Sequence, residues 1–228
     1  MVWADKIVIV DSGSADGTLT VARRFTDAAH IFIRDFDDYA SQKNFALEQA
    51  SGDWILSLDA DEVVTKELRD EIFSVTRAGG RDAAYRIGRR SRIFGRWFKA
   101  TGTQDDRPVR LFKNGTARFE GTIHETVRIA GTIGSLKNKI LHYTYDTFSA
   151  YMKRFNRYTS MEALRFQAEK LPVKEKDLRL KPLVVFFKLY VLKWGFIDGI
   201  EGFFFSTLSA YYAFAKHGKH QELLLKAR

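Results

Sequence analysis

Apolar and polar positions along the first eighty residues alternate between two periods. Lys6 to Val10 is a short apolar run that reads as an interior strand, and it passes through a small-residue loop, Asp11 to Thr18, into a helical stretch from Leu19 to Phe25. His30 to Arg34 reads as a second strand, and Tyr39 to Ala50 as a helix with Gly52 just past its end. Trp54 to Leu58 is again a buried strand, and Thr65 opens a helix with Leu68, Ile72 and Val75 on one face, closed by Gly79 and Gly80. Strand, loop and helix in succession predict an α/β sheet. After residue 80 the signals change to strand and turn, with Val109 to Phe112, an Asn114-Gly115 turn, Thr126 to Ile129 and Lys139 to Tyr143. From Thr147 the helical period returns, with Phe148, Tyr151, Phe155, Tyr158, Met161 and Leu164 as the predicted apolar stripe.

The strand from Trp54 runs into Asp59-Ala60-Asp61-Glu62. Side chains alternate along an extended chain, so Asp59 and Asp61 are expected to point the same way. Paired carboxylates at the carboxyl end of a strand lie where open α/β sheets bind ligands. Hard oxygen ligands there suit Mg²⁺ or Mn²⁺ held against substrate phosphates, with Asp61 and Asp59 as the metal-binding pair. The plainer alternative is a charged turn in which Asp61 caps the next helix. His142 reads as an ordinary strand residue, because no partner stands at ligand spacing.

Composition narrows the classes. With 228 residues, 45% of them hydrophobic and 14% aromatic, there is ample material for a core. The absence of cysteine excludes a disulfide framework and thiolate chemistry. No glycine-rich dinucleotide or Walker loop is present, since Gly13 and Gly17 have the wrong spacing. The net charge of +9 is uneven: residues 1–150 carry 22 Lys and Arg against 21 Asp and Glu, residues 151–228 carry 15 against 7. Pro182 to Phe214 is rich in Phe, Tyr and Trp but interrupted by Lys188, Lys193, Asp198 and Glu201. Those charges disfavour a membrane span and favour amphipathic helices at an anionic membrane surface, around Gly195 to Gly202, the plainer alternative being an ordinary helical cap on the sheet or a dimer face. A nucleic-acid partner is not expected, because the basic tail is joined to apolar aromatic surface and not to a groove-reading motif.

Three signals occur in order: Val10-Asp11-Ser12-Gly13-Ser14-Ala15-Asp16-Gly17-Thr18; then Ser41-Gln42-Lys43-Asn44 leading to Gly52-Asp53-Trp54 and Asp59-Ala60-Asp61; then Arg110-Leu111-Phe112 leading to Gly121, His124 and Glu125. Together they resemble the family-2 glycosyltransferases of the GT-A fold, in particular the lipopolysaccharide core β-1,4-glucosyltransferase-like subgroup. The resemblance implies a nucleotide-diphospho-sugar transferase-like mixed sheet with flanking helices, plus C-terminal amphipathic helices. It places a catalytic domain at 1–146 and a basic, aromatic, membrane-associating region at 147–228. In that family a further strand and helix precede the Val10-Asp11-Ser12 strand, so the chain is expected to be short at its amino end.

The same resemblance implies roles. Asp11 would meet the base or ribose of a nucleoside diphosphate, uridine above all, although an Asp there also forms a turn with its own backbone. Lys43 would approach the diphosphate with Gln42 helping to position it, or else be a solvated first-turn residue. Asp59 would meet the sugar, ribose or a metal-bound water, and Asp61 the divalent cation. Glu125 is the candidate base for the acceptor hydroxyl, with His124 beside it and Asp105 and Asp106 as rival acids. Arg107 and Arg110 would pair with acceptor phosphates or with those two acids. The activity so implied is inverting transfer of a hexose from a nucleotide-sugar donor to a lipid-linked or lipopolysaccharide-core acceptor, peripherally on the inner, cytoplasmic face of the bacterial cell membrane. The alternatives are a metal-dependent phosphotransfer enzyme, or a non-catalytic remnant of the fold that binds membrane or a partner.

Overall fold

The computed structural model describes residues 3–121 and 125–226. The chain forms two compact units, neither continuous in sequence: Met1–Ala60, Val64–Ile87 and Arg107–Lys139 in the first, Asp61–Val63, Gly88–Asp106 and Ile140–Arg228 in the second. Parallel and antiparallel strand pairings both occur, with flanking helices, so the mixed α/β sheet implied by the sequence is present.

The first unit opens with β1 (Ile9–Asp11), α1 (Thr18–Ala22), β2 (Ile31–Ile33) and α2 (Tyr39–Glu48). β1 and β2 pair in parallel, Val10 beside Phe32. α1 is shorter than its helical spacing predicts, because only Ala22 is buried on it and few tertiary contacts sustain further turns. Asp38 caps α2 by accepting from the Ser41 N–H at 2.8 Å. β3 (Trp54–Leu56) ends two residues before the sequence suggests, although Ser57 N still donates to the Arg110 carbonyl. α3 (Lys66–Arg77) starts at a Thr65 cap and buries Leu68 and Ile72. The helix cap is therefore Thr65 and not Asp61.

β3 pairs antiparallel with β7 (Val109–Lys113), and β7 in turn with the first residues of β5 (Ala84–Ile93). The six-stranded sheet has the order β3-β7-β5-β10-β4, where β4 is Glu62–Val64 and β10 is Ile133–Tyr145, with the short β6 (Arg96–Trp97) beside β5. β8 (Ala117–Glu120) and β9 (Thr126–Ile129) form a separate antiparallel pair. Ala40, Ala84, Val109, Phe112 and Phe119 make the core of the first unit, with Leu47 and Ile55 packed on it. One side of α2 is thereby fixed. Asn44 on α2 adds a polar clasp: its side-chain amide donates to the Phe119 carbonyl at 2.9 Å and accepts from the Phe119 N–H at 2.8 Å.

In the second unit α4 (Phe148–Ala168) is capped by Thr147 and buries Tyr151, Phe155, Thr159, Glu162, Ala163 and Phe166. Of the predicted stripe Tyr151 and Phe155 are buried, Phe148 before them is exposed, and the positions after them drift off the buried face. Steps of three lag the 3.6-residue turn, so Leu164 rotates out into solvent while Thr159 and Glu162 rotate in. A buried glutamate is tolerable because Arg165 and Lys216 pair with it at 3.0 and 3.6 Å. α5 (Glu175–Arg179), α6 (Lys181–Phe187) and the long α7 (Gly199–Lys226) follow. Leu208 and Ala215 of α7 pack with Tyr151 and Phe155. Among the described residues no helix is long and apolar enough to cross a membrane.

Candidate functional site

Within the first unit the loop after β1, the start of α2, the chain after β3, strand β7 and the segment before β9 bring their polar side chains together. The Asp11 carboxylate turns back on its own loop, accepting from the N–H groups of Gly13 and Ser14 at 2.9 and 2.7 Å and from the Ser14 hydroxyl at 2.6 Å. The Ser14 hydroxyl first, then the backbone donors, hold this carboxyl below its ordinary value. A left-handed Gly13, φ 82°, permits so tight a return. Gln42 reaches across to the same loop: its Nε2 donates to Ser12 Oγ at 2.6 Å while its Oε1 accepts from Arg34.

The next residue on α2 faces a different set of partners. Lys43 Nζ lies 2.8 Å from Asp59 Oδ1 and 2.6 Å from Glu125 Oε1, with its side chain only 15% exposed. Asp59 is gripped a second time, by the guanidinium of Arg110, whose side chain is 3% exposed. Burial by itself would raise the Asp59 carboxyl, but the Arg110 and Lys43 charges outweigh it and hold it at about 2. The first unit thus contains a chain of alternating charge, Arg110–Asp59–Lys43–Glu125, in which one ammonium group is shared by two carboxylates. An ammonium group between two acids can be drawn to an incoming phosphate, leaving a carboxylate able to accept a proton.

The second unit carries its own polar cluster. Asp61 Oδ2 lies 3.6 Å from His142 Nε2 and 3.7 Å from an Arg154 nitrogen. The other ring nitrogen of His142 is 3.3 Å from the buried Ser91 hydroxyl. His142 therefore does have a carboxylate neighbour, one that its sequence spacing conceals. Beside this, Arg89 binds the fully buried Glu62 carboxylate at 2.6 Å and the Asp106 carboxylate at 3.1 Å. Asp105, the other rival acid, pairs with Lys193 at 2.7 Å.

Asp11, Gln42, Lys43, Asp59 and Glu125 thus belong to the first unit, while Asp61 and Asp106 belong to the second. His124 lies outside the described residues. Arg110 pairs with Asp59. Sequence reasoning passed over Asn44 as a clasp and Arg89 and Ser91 altogether, and it gave Glu62 no role of its own. Arg89 stands among dense basic residues, where nothing in the sequence marks it out, and Glu62 gave only the signal of adjoining Asp61.

Residues 4–159 match the protein family described as glycosyl transferase family 2. The chain is 31% identical over 231 residues to the lipopolysaccharide core biosynthesis glycosyltransferase LpsC of Rhizobium meliloti (strain 1021), covering 98% of this chain and 85% of that protein. It is 28% identical over 244 residues to an uncharacterized glycosyltransferase of Rickettsia felis, covering 98% and 83%. Among solved structures, S. aureus TarS 1-349 in complex with UDP-GlcNAc aligns with a TM-score of 0.45 and 13% identity, over 95% of this chain and 80% of that one. With the family pattern covering more than half of its residues and a relative matched along nearly its whole length, the chain belongs to glycosyl transferase family 2 and is a transferase enzyme.

Proposed function

We propose that this enzyme moves a hexose from a uridine-diphosphate sugar to a lipopolysaccharide-core or other lipid-linked glycan, inverting the anomeric carbon in a single displacement. The similarity to LpsC supports the acceptor class. The basic last third of the chain supports an anionic, membrane-borne acceptor at the cytoplasmic face. The observation that carries the mechanism is the Lys43 bridge between Asp59 and Glu125.

In this reading the Asp11 loop and Gln42 receive the nucleoside, and Lys43 turns from Glu125 toward the donor diphosphate. Glu125 then accepts the proton of the acceptor hydroxyl as its oxygen bonds to the anomeric carbon and the bond to the diphosphate breaks. Arg110 keeps Asp59 charged and oriented throughout. Asp106, held at one oxygen by Arg89, is the rival proton acceptor.

The family implies a divalent cation, Mg²⁺ or Mn²⁺, and the donor set fits one of the two acids better than the other. Asp59 is held by Lys43 and the buried Arg110, whereas Asp61 sets a carboxylate oxygen 3.6 Å from a His142 nitrogen and 3.7 Å from the more exposed Arg154. Among the described residues no group of three or more His, Cys, Asp or Glu could hold an ion. Asp61, with His142 next to it, would therefore hold the cation through few protein ligands, as suits Mg²⁺ completed by substrate phosphates. When bound, such an ion supplies Lewis-acid charge against the departing diphosphate.

The test is a screen of uridine-diphosphate hexoses with a lipid-linked acceptor, read alongside calorimetric uridine diphosphate binding. Glu125→Gln is expected to lower turnover by about a hundredfold or more with donor affinity little changed. Retained turnover in that variant transfers the role to Asp106. Asp61→Ala is expected to remove the Mn²⁺ dependence of nucleotide binding, and Mn²⁺-dependent binding that survives it would take the cation from Asp61.

A further inference from the structure

We propose that the segment from Leu180 to Phe204 in the second unit is a pre-shaped wedge that inserts into the interface of an anionic lipid surface. This deepens the membrane-facing part of the function proposed above and rests on it. The chain there runs through α6, a widened turn at Lys188–Leu192, a tight turn at Gly195–Asp198 and the first turns of α7. Its outward side chains are large and apolar, Leu183, Phe187, Leu192, Trp194, Phe196 and Ile200 among them, with Leu183 67% and Trp194 60% exposed. A run of exposed large apolar side chains of this kind marks a binding surface.

The segment is held rigidly from behind. Phe186 stacks on Tyr190 at 5.3 Å, and Phe203 meets both rings edge-on at 5.9 and 5.6 Å. Asp198, 1% exposed, accepts from the N–H groups of Lys99 and Ala100 at 2.8 and 3.0 Å and from the Thr101 hydroxyl at 2.7 Å. Thr101 N–H in turn donates to the Lys193 carbonyl, so both arms of the turn are clamped to one loop. A Cβ at Gly202 would fall 2.0 Å from the Gly195 carbonyl oxygen, which shows how closely the turn is pressed on α7. At the apex Trp194 adopts a left-handed backbone, φ 59°. That conformation is unfavourable for a bulky residue, and here it serves to present an exposed indole.

Charge selects lipid as the occupant. From Leu180 to Phe204 the charged residues are Lys181, Lys188, Lys193, Asp198 and Glu201. Asp198 is turned inward and Glu201 is paired with Arg96 at 3.7 Å, so the outward charge of the stretch is positive. Exposed indole and phenyl rings with flanking lysines are the chemistry of the headgroup region, where aromatic rings sit at the boundary and ammonium groups meet lipid phosphates. No described helix is both long and apolar enough to cross a membrane, and an amphipathic segment of this kind lies in the interface plane.

The full chain should be floated with phosphatidylcholine vesicles, with and without phosphatidylglycerol. Wild type is expected to bind, and more tightly with the anionic lipid. Leu192→Ser with Trp194→Ser and Phe196→Ser should lose vesicle binding by at least about tenfold, with uridine diphosphate affinity unchanged. Lys188→Glu, a surface change that spares folding, should lose mainly the gain from phosphatidylglycerol. Absence of wild-type vesicle binding, or equal binding by the triple variant, overturns the wedge. So does a wild-type dimer in solution that the triple variant converts to monomer without altering vesicle binding. A chain that binds nucleotide but no vesicles sinks the wedge alone, and one that binds vesicles but turns over no donor sinks the transferase reading alone.

Discussion

Lys43 is the side chain on which the charged chain of the first unit turns. It is the link between Asp59 and Glu125, and its removal leaves two half-buried carboxylates without their shared cation. Lys43→Met is therefore expected to weaken uridine diphosphate binding about tenfold or more by calorimetry, and Lys43→Arg to restore part of it. Asp59 gives a pH signature of the same charges. Its carboxyl ionises at about 2 in the folded protein against an ordinary value of 3.8, so in the unfolded chain it takes up a proton first as pH falls. Its contribution to stability is full above about pH 4 and is lost as pH falls toward about 2. Thermal melts should show that acid loss in wild type, and Asp59→Asn should lack this component of it.

At the scale of elements, the placement of α2 decides what Gln42 and Lys43 can touch. Its apolar side packs into the first unit's core, and Asn44 pairs both backbone groups of Phe119 on β8, the strand that leads toward Glu125. Asn44→Ala leaves a strand N–H and carbonyl without their side-chain partner. The expected cost is about 1–3 kcal/mol in denaturant unfolding. Turnover should fall with it, because Lys43 loses its register on Glu125. Equal stability of wild type and variant would show that Phe119 finds other partners. α4 teaches a related lesson about period. Tyr151 and Phe155 lie on the buried face, but from Thr159 onward the buried positions follow the 3.6-residue turn, and a paired Glu162 occupies one of them.

For the molecule as a whole the decisive quantity is the distribution of charge. The chain carries +9, nearly all of it from residues 151–228. Attraction of that surface to an anionic acceptor is screened by salt over about 8 Å at physiological ionic strength, while the largely buried Lys43 pairs are screened less. Turnover on a vesicle-borne acceptor should therefore fall steeply as salt is raised toward about 0.5 M, and uridine diphosphate affinity should fall much less. Parallel declines in the two measurements would place the salt-sensitive step at the nucleotide instead of the membrane.

Several parts of this picture are properties of the sequence by itself. The alternation of strand and helix through residue 80, the helix start at Thr65 and the motifs shared with family-2 transferases are local patterns, and local patterns survive without a third dimension. So is the aromatic, lysine-flanked character of 180–204, since composition alone carries it. Pairing is different, because it depends on residues distant in the chain meeting at a distance set by packing. Lys43 and Glu125 are 82 positions apart and Arg110 and Asp59 are 51 apart, so no spacing rule could join them. For the same reason Glu62 could be recognised as a buried carboxylate only once Arg89 was seen against it, and Asp198 only once its three donors at 99–101 were in place. The sequence determined which groups are available for chemistry. Tertiary structure decided which of them share a proton, a cation or a surface, because burial and long-range contact set the electrostatics of each.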